Sequence, residues 1–139
     1  MITSIAHTTI YVLNQDEALD FYKNKLGFEV GDDMKVEGGF RWLTVFPKSN
    51  SQFQLVLAEP KEGPMFTKDS ADKIRSLIEE GAFGAGVFET ENCQETYEEL
   101  VAKGVEFIQP PTDQLYGVEA MGIDNSGNWF SLVQRKNKI

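Results

Sequence analysis

One histidine and one cysteine are all that this chain of 139 residues offers of the two side chains most used for metal binding and nucleophilic chemistry. A metal site needing two imidazoles cannot be built within one chain, and any serine–histidine arrangement has only His7 to use. Cys93 alone makes no intramolecular disulfide, and without a Cys or His cluster there is no zinc-ribbon or iron–sulfur framework. Basic residues are scarce too: 13 Lys+Arg stand against 22 Asp+Glu, a formal net charge of −9. That balance repels a phosphate backbone and an anionic lipid surface, so neither nucleic acid nor a membrane is expected as a partner. No apolar run approaches the ~20 residues that cross a bilayer, and no basic segment followed by an apolar one opens the sequence. A cytoplasmic protein is the expectation. What is present, 41% apolar and 25% charged residues, is the composition of one compact globular domain.

An internal repeat organises the chain. Phe53-Gln54-Leu55-Val56 and Phe130-Ser131-Leu132-Val133 stand 77 residues apart (130 − 53), and Gly27-Phe28-Glu29-Val30 maps onto Gly104-Val105-Glu106-Phe107 at the same offset (104 − 27 = 77). In the first half, Asn14 or Asp16 caps a helix whose Leu19, Tyr22 and Leu26 recur at helical spacing and which Gly27 ends. In the second half Asn92 is the cap, Tyr97, Leu100 and Val101 form the stripe, and Gly104 is the stop. β-rich runs flank each helix in the same order: 5–13, 28–37, 40–46 and 53–59, then 83–91, 105–109, 116–123 and 129–135. Module one therefore spans 1–59 and module two 83–139. The linker, 60–82, carries a short helix with Ser70 as cap, Ile74, Leu77 and Ile78 as stripe, and Gly81 as stop.

Two tandem βαβββ modules predict an α+β fold, a curved mixed sheet around a concave cleft with helices on the outside. Strand parity says what lines it. His7, Thr9 and Tyr11 share one face of the first strand. On the fourth, Phe53, Leu55 and Leu57 pack under a helix and leave Gln54 and Val56 for the cleft. By repeat symmetry Trp129, Ser131 and Val133 face the cleft, and Ala85 is the residue nearest in equivalence to His7.

At these residues the sequence resembles the vicinal oxygen chelate superfamily of glyoxalase I, extradiol dioxygenases, fosfomycin-resistance enzymes and bleomycin-binding resistance proteins. The resemblance covers nearly the whole chain. It is carried by His7-Thr8-Thr9-Ile10-Tyr11-Val12, Ala18-Leu19-Asp20-Phe21-Tyr22 with Leu26-Gly27-Phe28, Gly104-Val105, and the turn Asp124-Asn125-Ser126-Gly127-Asn128. It implies a divalent metal held by a His on the first strand and a Glu on the last strand of each half, leaving open positions for two neighbouring substrate oxygens. The four positions here are His7, Gln54, Ala85 and Ser131, of which His7 alone is a good ligand. A metal site is therefore read as lost, with His7, Gln54 and Glu119 as an altered set if one exists. A dioxygenase iron face needs two histidines, which the chain lacks.

The reading reached is a small-molecule-binding protein of the glyoxalase/bleomycin-resistance type, metal-independent, with no cofactor, its ligand held by His7, Thr9, Tyr11, Trp42, Gln54, Trp129 and Ser131. A homodimer is implied by the family. The alternative is a lyase, isomerase or transferase of the glyoxalase type that depends on His7 or on a divalent metal. Arg41 and Trp42 point to opposite faces, so at most one faces the cleft; the plainer reading makes Trp42 core and pairs Arg41 with Glu119. Tyr116, after a Pro110-Pro111 loop, is placed at the rim. An acidic lining favours a cationic ligand, yet Glu95, Glu98 and Glu99 read as the solvated face of a helix. Cys93, at a helix start, reads as an ordinary small residue.

Overall fold

The computed structural model describes residues 1–136. Residues 137–139, the end of the second module's expected range, lie outside them. The element order is β1 (His7–Tyr11), α1 (Gln15–Asp20) running into a π-helical turn (Phe21–Lys25), β2 (Glu29–Lys35), β3 (Arg41–Phe46), β4 (Gln54–Ala58), α2 (Lys68–Glu79), β5 (Gly84–Glu89), α3 (Cys93–Ala102), β6 (Glu106–Gln114), β7 (Gly117–Ile123) and β8 (Trp129–Arg135). These are two βαβββ modules, each with its own four-stranded mixed sheet, ordered β1-β4-β3-β2 and β5-β8-β7-β6. In both, the first strand runs parallel to the last and the remaining pairs are antiparallel. The chain divides into two compact units, Met1–Ile78 and a second beginning at Glu79. No helix among the described residues is long and apolar enough to cross a membrane.

The repeat is visible in the caps. Asn14 Oδ1 accepts from Glu17 N–H at 2.9 Å, and Asn92 Oδ1 accepts from Glu95 N–H at 3.0 Å; each such cap stabilises its helix by about 1 kcal/mol. Gly27 and Gly104 end the helical segments at φ +78° and +88°, a backbone region that a side chain disfavours. For α2 the cap is Thr67, not Ser70. Thr67 Oγ accepts from Ser70 N–H and Ser70 Oγ accepts from Thr67 N–H, at 3.1 and 3.0 Å, a reciprocal box that starts the helix two residues before Ser70.

Parity puts Ile10, Val12, Leu43, Val45, Leu55 and Leu57 on one face of the first sheet, all buried, with α1 packed on β4. Gln15 fastens that helix, its side-chain amide donating to the carbonyls of Leu57 at 2.8 Å and Arg41 at 3.1 Å. In the second sheet Phe130, Leu132 and Ala120 form the buried face. Tyr97 of α3 packs its ring 4.7 Å from Phe107, which in turn meets Phe130 at 6.0 Å.

Three local expectations are corrected. Phe53 does not pack under a helix; it precedes β4 and is 38% exposed, unlike Phe130, its counterpart in the repeat. Pro110-Pro111 is not a loop. It lies within β6, where the register shifts between Gln109 and Thr112 on a sheet edge, and both an edge and an irregularity tolerate missing N–H donors. Finally, a shift between Gly84 and Gly86 puts Val87, not Ala85, opposite Ser131.

Candidate functional site

On the first sheet, β1 and β4 pair His7 with Gln54, Thr9 with Val56 and Tyr11 with Ala58, so these side chains share the face opposite the apolar one. β3 adds Trp42 and Thr44 to it, since Thr44 pairs with Val56. Trp42 is thus the member of the Arg41–Trp42 pair that lies with His7. Its indole meets the imidazole at 5.4 Å between ring centroids, at 65°, although β4 separates their strands. The indole N–H donates to Asp32 Oδ2 at 3.2 Å. His7 is exposed, and its imidazole makes no hydrogen bond among the described residues. Tyr11 meets Phe66 edge-on at 5.4 Å.

Gln54 is held on both ends of its amide. Its nitrogen donates to the Ser51 carbonyl at 3.1 Å, and its oxygen accepts from the Thr44 hydroxyl at 2.7 Å. Thr44 Oγ accepts in turn from Asp32 N–H at 2.8 Å. Arg41 is turned away from this chain of bonds. It does not pair with Glu119; it donates to both oxygens of Asp33, at 2.8 and 2.9 Å, and to Asp16 at 2.7 Å. The hydrogen bonds from Arg41 hold the Asp33 carboxyl below the usual carboxylate range, and the two carboxylates push the guanidinium still higher.

On the second sheet, β7 and β8 pair Ile123 with Trp129, Met121 with Ser131 and Glu119 with Val133, again one face. Ser131 is buried and its hydroxyl donates to one Glu119 oxygen, while the Tyr116 hydroxyl donates to the other at 2.5 Å. The bond to Glu119 pushes the Tyr116 phenol up, because ionising it would remove the donor and set two anions together. Trp129 lies against Gly84, where a Cβ would stand 2.7 Å from the indole ring. Cys93 is buried, and burial pushes its thiol up, away from the reactive thiolate.

This donor set does not fit the metal that the fold family implies. Val87, opposite Ser131, carries no donor. The Ser131 hydroxyl and both Glu119 oxygens are engaged with one another and with Tyr116, and the strand partner of His7 is Gln54, whose amide is neutral. Among the described residues no three His, Cys, Asp or Glu side chains gather where they could hold a metal ion.

Several participants escape a reading of the sequence. Phe66 comes from the segment read as linker and carries no pattern of its own. The placement of Asp32 depends on the register shift in β2 between Val30 and Asp33, and a bulge leaves no mark in hydropathy. The Glu119–Tyr116 pair was within reach, since Tyr-Gly-Val-Glu places them on the two sides of one strand start, three residues apart.

A family model described as "Glyoxalase/Bleomycin resistance protein/Dioxygenase superfamily" matches residues 4–132. The crystal structure of UcmS2 is 44% identical, covering 96% of this chain and 99% of that one, with a TM-score of 0.89. TnmS3, an antibiotic binding protein from Streptomyces sp. CB03234, is 26% identical over 97% of this chain and 98% of its own, with a TM-score of 0.75. The uncharacterized protein YurT of Bacillus subtilis (strain 168) is 34% identical over 131 residues, 94% of this chain and 98% of that protein. With most of both modules inside the matched span, the chain belongs to the glyoxalase/bleomycin resistance protein/dioxygenase superfamily.

Proposed function

We propose that this chain is a small-molecule-binding protein that holds an apolar or planar ligand without a resident metal and works as a homodimer. The observation that carries the reading is the Trp42–His7 pair on the first sheet: two rings in contact across β4, the imidazole exposed and free of hydrogen bonds among the described residues. An indole offers a large rigid contact area, and the imidazole beside it offers one polar contact that orients a ligand. Thr9, Tyr11 and Gln54 share that face as further proposed ligand contacts, and Trp129 and Ser131 are proposed as ligand contacts on the second module's own face. The likeness to an antibiotic binding protein over nearly the full length supports the same class of ligand.

The test is a titration of metal-stripped protein with planar polycyclic antibiotics and dyes, followed by tryptophan fluorescence, with sedimentation to give the oligomeric state. Saturable quenching at one ligand per chain is expected, and His7→Ala should weaken it by about tenfold, the worth of one hydrogen bond and some ring contact. Absence of binding across the panel overturns the reading. The free imidazole also favours a second reading, a lyase, isomerase or transferase with His7 as proton carrier. There turnover of a candidate substrate is found and collapses in His7→Ala, a loss far beyond tenfold.

A further inference from the structure

The second module's sheet carries, on the face opposite its buried one, an apolar surface with a single carboxylate whose charge no basic group answers. Val87 is 67% exposed and Trp129 39%, while Met121 and Ile123 are half-buried beside them. Two carboxylates share this face. Glu89 is ion-paired with Arg135 at 2.7 Å. The Glu119 carboxylate accepts only from the hydroxyls of Tyr116 and Ser131, and no Lys or Arg pairs with it among the described residues.

Two neutral O–H donors fix the carboxylate oxygens in place without cancelling the charge. A half-buried anion in that condition attracts a cation more strongly than an exposed one does, because less water screens it. The neighbouring side chain has the same preference. Trp129 stands two residues before Ser131 on the same face, about 7 Å along the strand, and its indole is seated on the sheet by the missing side chain of Gly84; the face of an indole attracts cations as well. A bare metal ion is a poorer match, since it needs several anionic or strongly donating ligands, and none gather here among the described residues.

We propose that Glu119, positioned by Tyr116 and Ser131 and flanked by Trp129, is the anchor for a planar organic cation such as an N-alkylated or protonated heteroaromatic ring. This rests on the small-molecule-binding reading and adds to it the sign of the ligand's charge.

The experiment uses two probes of one shape, N-methylacridinium, a permanent cation, and acridine, which is neutral at pH 8, each followed by its own fluorescence polarisation against the full chain at low salt. The cation is expected to bind about tenfold more tightly. Glu119→Gln should abolish that preference and leave acridine unchanged, whereas Glu89→Gln, which removes the same net charge from the same face, should keep it. Equal affinities in the natural sequence, or a preference that survives Glu119→Gln, overturn the proposal and leave small-molecule binding standing. If neither probe binds and the wider panel fails as well, small-molecule binding and this proposal fall together; if only these two fail, the proposal alone falls. Should Glu119→Gln not fold, amide shift changes on adding N-methylacridinium to the natural sequence decide: centred on Glu119, Ser131 and Trp129 they support the proposal, and centred elsewhere they overturn it.

Discussion

A Cβ on Gly31 would stand 2.1 Å from Gln54 Oε1, so the missing side chain at one position and the placement of the amide at the other are a single structural fact. The same Cβ would lie 2.5 Å from Thr44 Oγ. The register shift in β2 lays this stretch of backbone over the Thr44–Gln54 hydrogen bond, and the next N–H, that of Asp32, donates into it. Gly31 is needed here for closeness, not for backbone freedom: it is not among the positive-φ glycines.

Gly31→Ala should therefore act on Gln54. The amide is the end of a flexible side chain and can swing away; Thr44 is β-branched and stiff. The expected result is loss of the Thr44–Gln54 bond and a stability cost of about 1–3 kcal/mol, the range for overpacking plus one broken hydrogen bond. Thermal denaturation reads this as a fall of about 3–4 °C per kcal/mol in a chain of this size. Ligand affinity should fall with it, and an unchanged melting temperature would show that β2 retreats at no cost.

The Arg41–Asp33–Asp16 cluster predicts a pH dependence whose sign follows from its geometry. Arg41 holds Asp33 below its ordinary range in the folded chain. A carboxyl depressed on folding contributes stability that is present in full above its unfolded value, about 4, and is lost as the pH falls through the folded value. Acidification from pH 5 to 2 should then unfold the natural protein more steeply than Asp33→Asn, measured by denaturant midpoints across that window. The difference is expected to be small, because the Asp33 side chain is 38% exposed and water screens the pair. Parallel curves for the two proteins would show that the ion pair carries no net stability.

The βαβββ duplication could be read from the chain because its markers are local: Asn14 and Asn92 as caps, Gly27 and Gly104 as stops, and period-two alternation in β1, β4 and β8. Ser131 and Gln54 fell on the expected faces for the same reason, since parity follows once a strand is placed. What escaped the sequence depends on interruptions of the ladder. One shift brings Val87 opposite Ser131 where counting gave Ala85, and another carries β6 through Pro110-Pro111. Long side chains add a second difficulty. Repeat offset matches Arg41 with Glu119, yet Arg41 finds Asp33 and Asp16, and Glu119 finds Tyr116 and Ser131, each within its own module.

The turn before β8 gives the largest expected loss from a single substitution. Asp124 is buried, and its Oδ1 accepts from the backbone N–H groups of Ser126, Gly127 and Asn128 at 2.8, 3.1 and 3.0 Å, while its Oδ2 accepts from the side-chain amide of Asn128 at 3.1 Å. Ser126 and Asn128 are buried as well, so water cannot easily replace the carboxylate. Asp124→Ala strands these donors and should cost about 3–5 kcal/mol, a large share of the stability of one domain. Asp124→Asn keeps an oxygen for the three N–H groups but can turn a second N–H donor toward the Asn128 amide, so it should cost less, about 1–2 kcal/mol. Denaturant unfolding of the two variants gives the ordering. Because the turn feeds directly into Trp129 and Ser131, ligand affinity at the second module should follow the same order; equal costs for the two substitutions would mean that the charge of Asp124, and not the geometry of its oxygens, holds the turn.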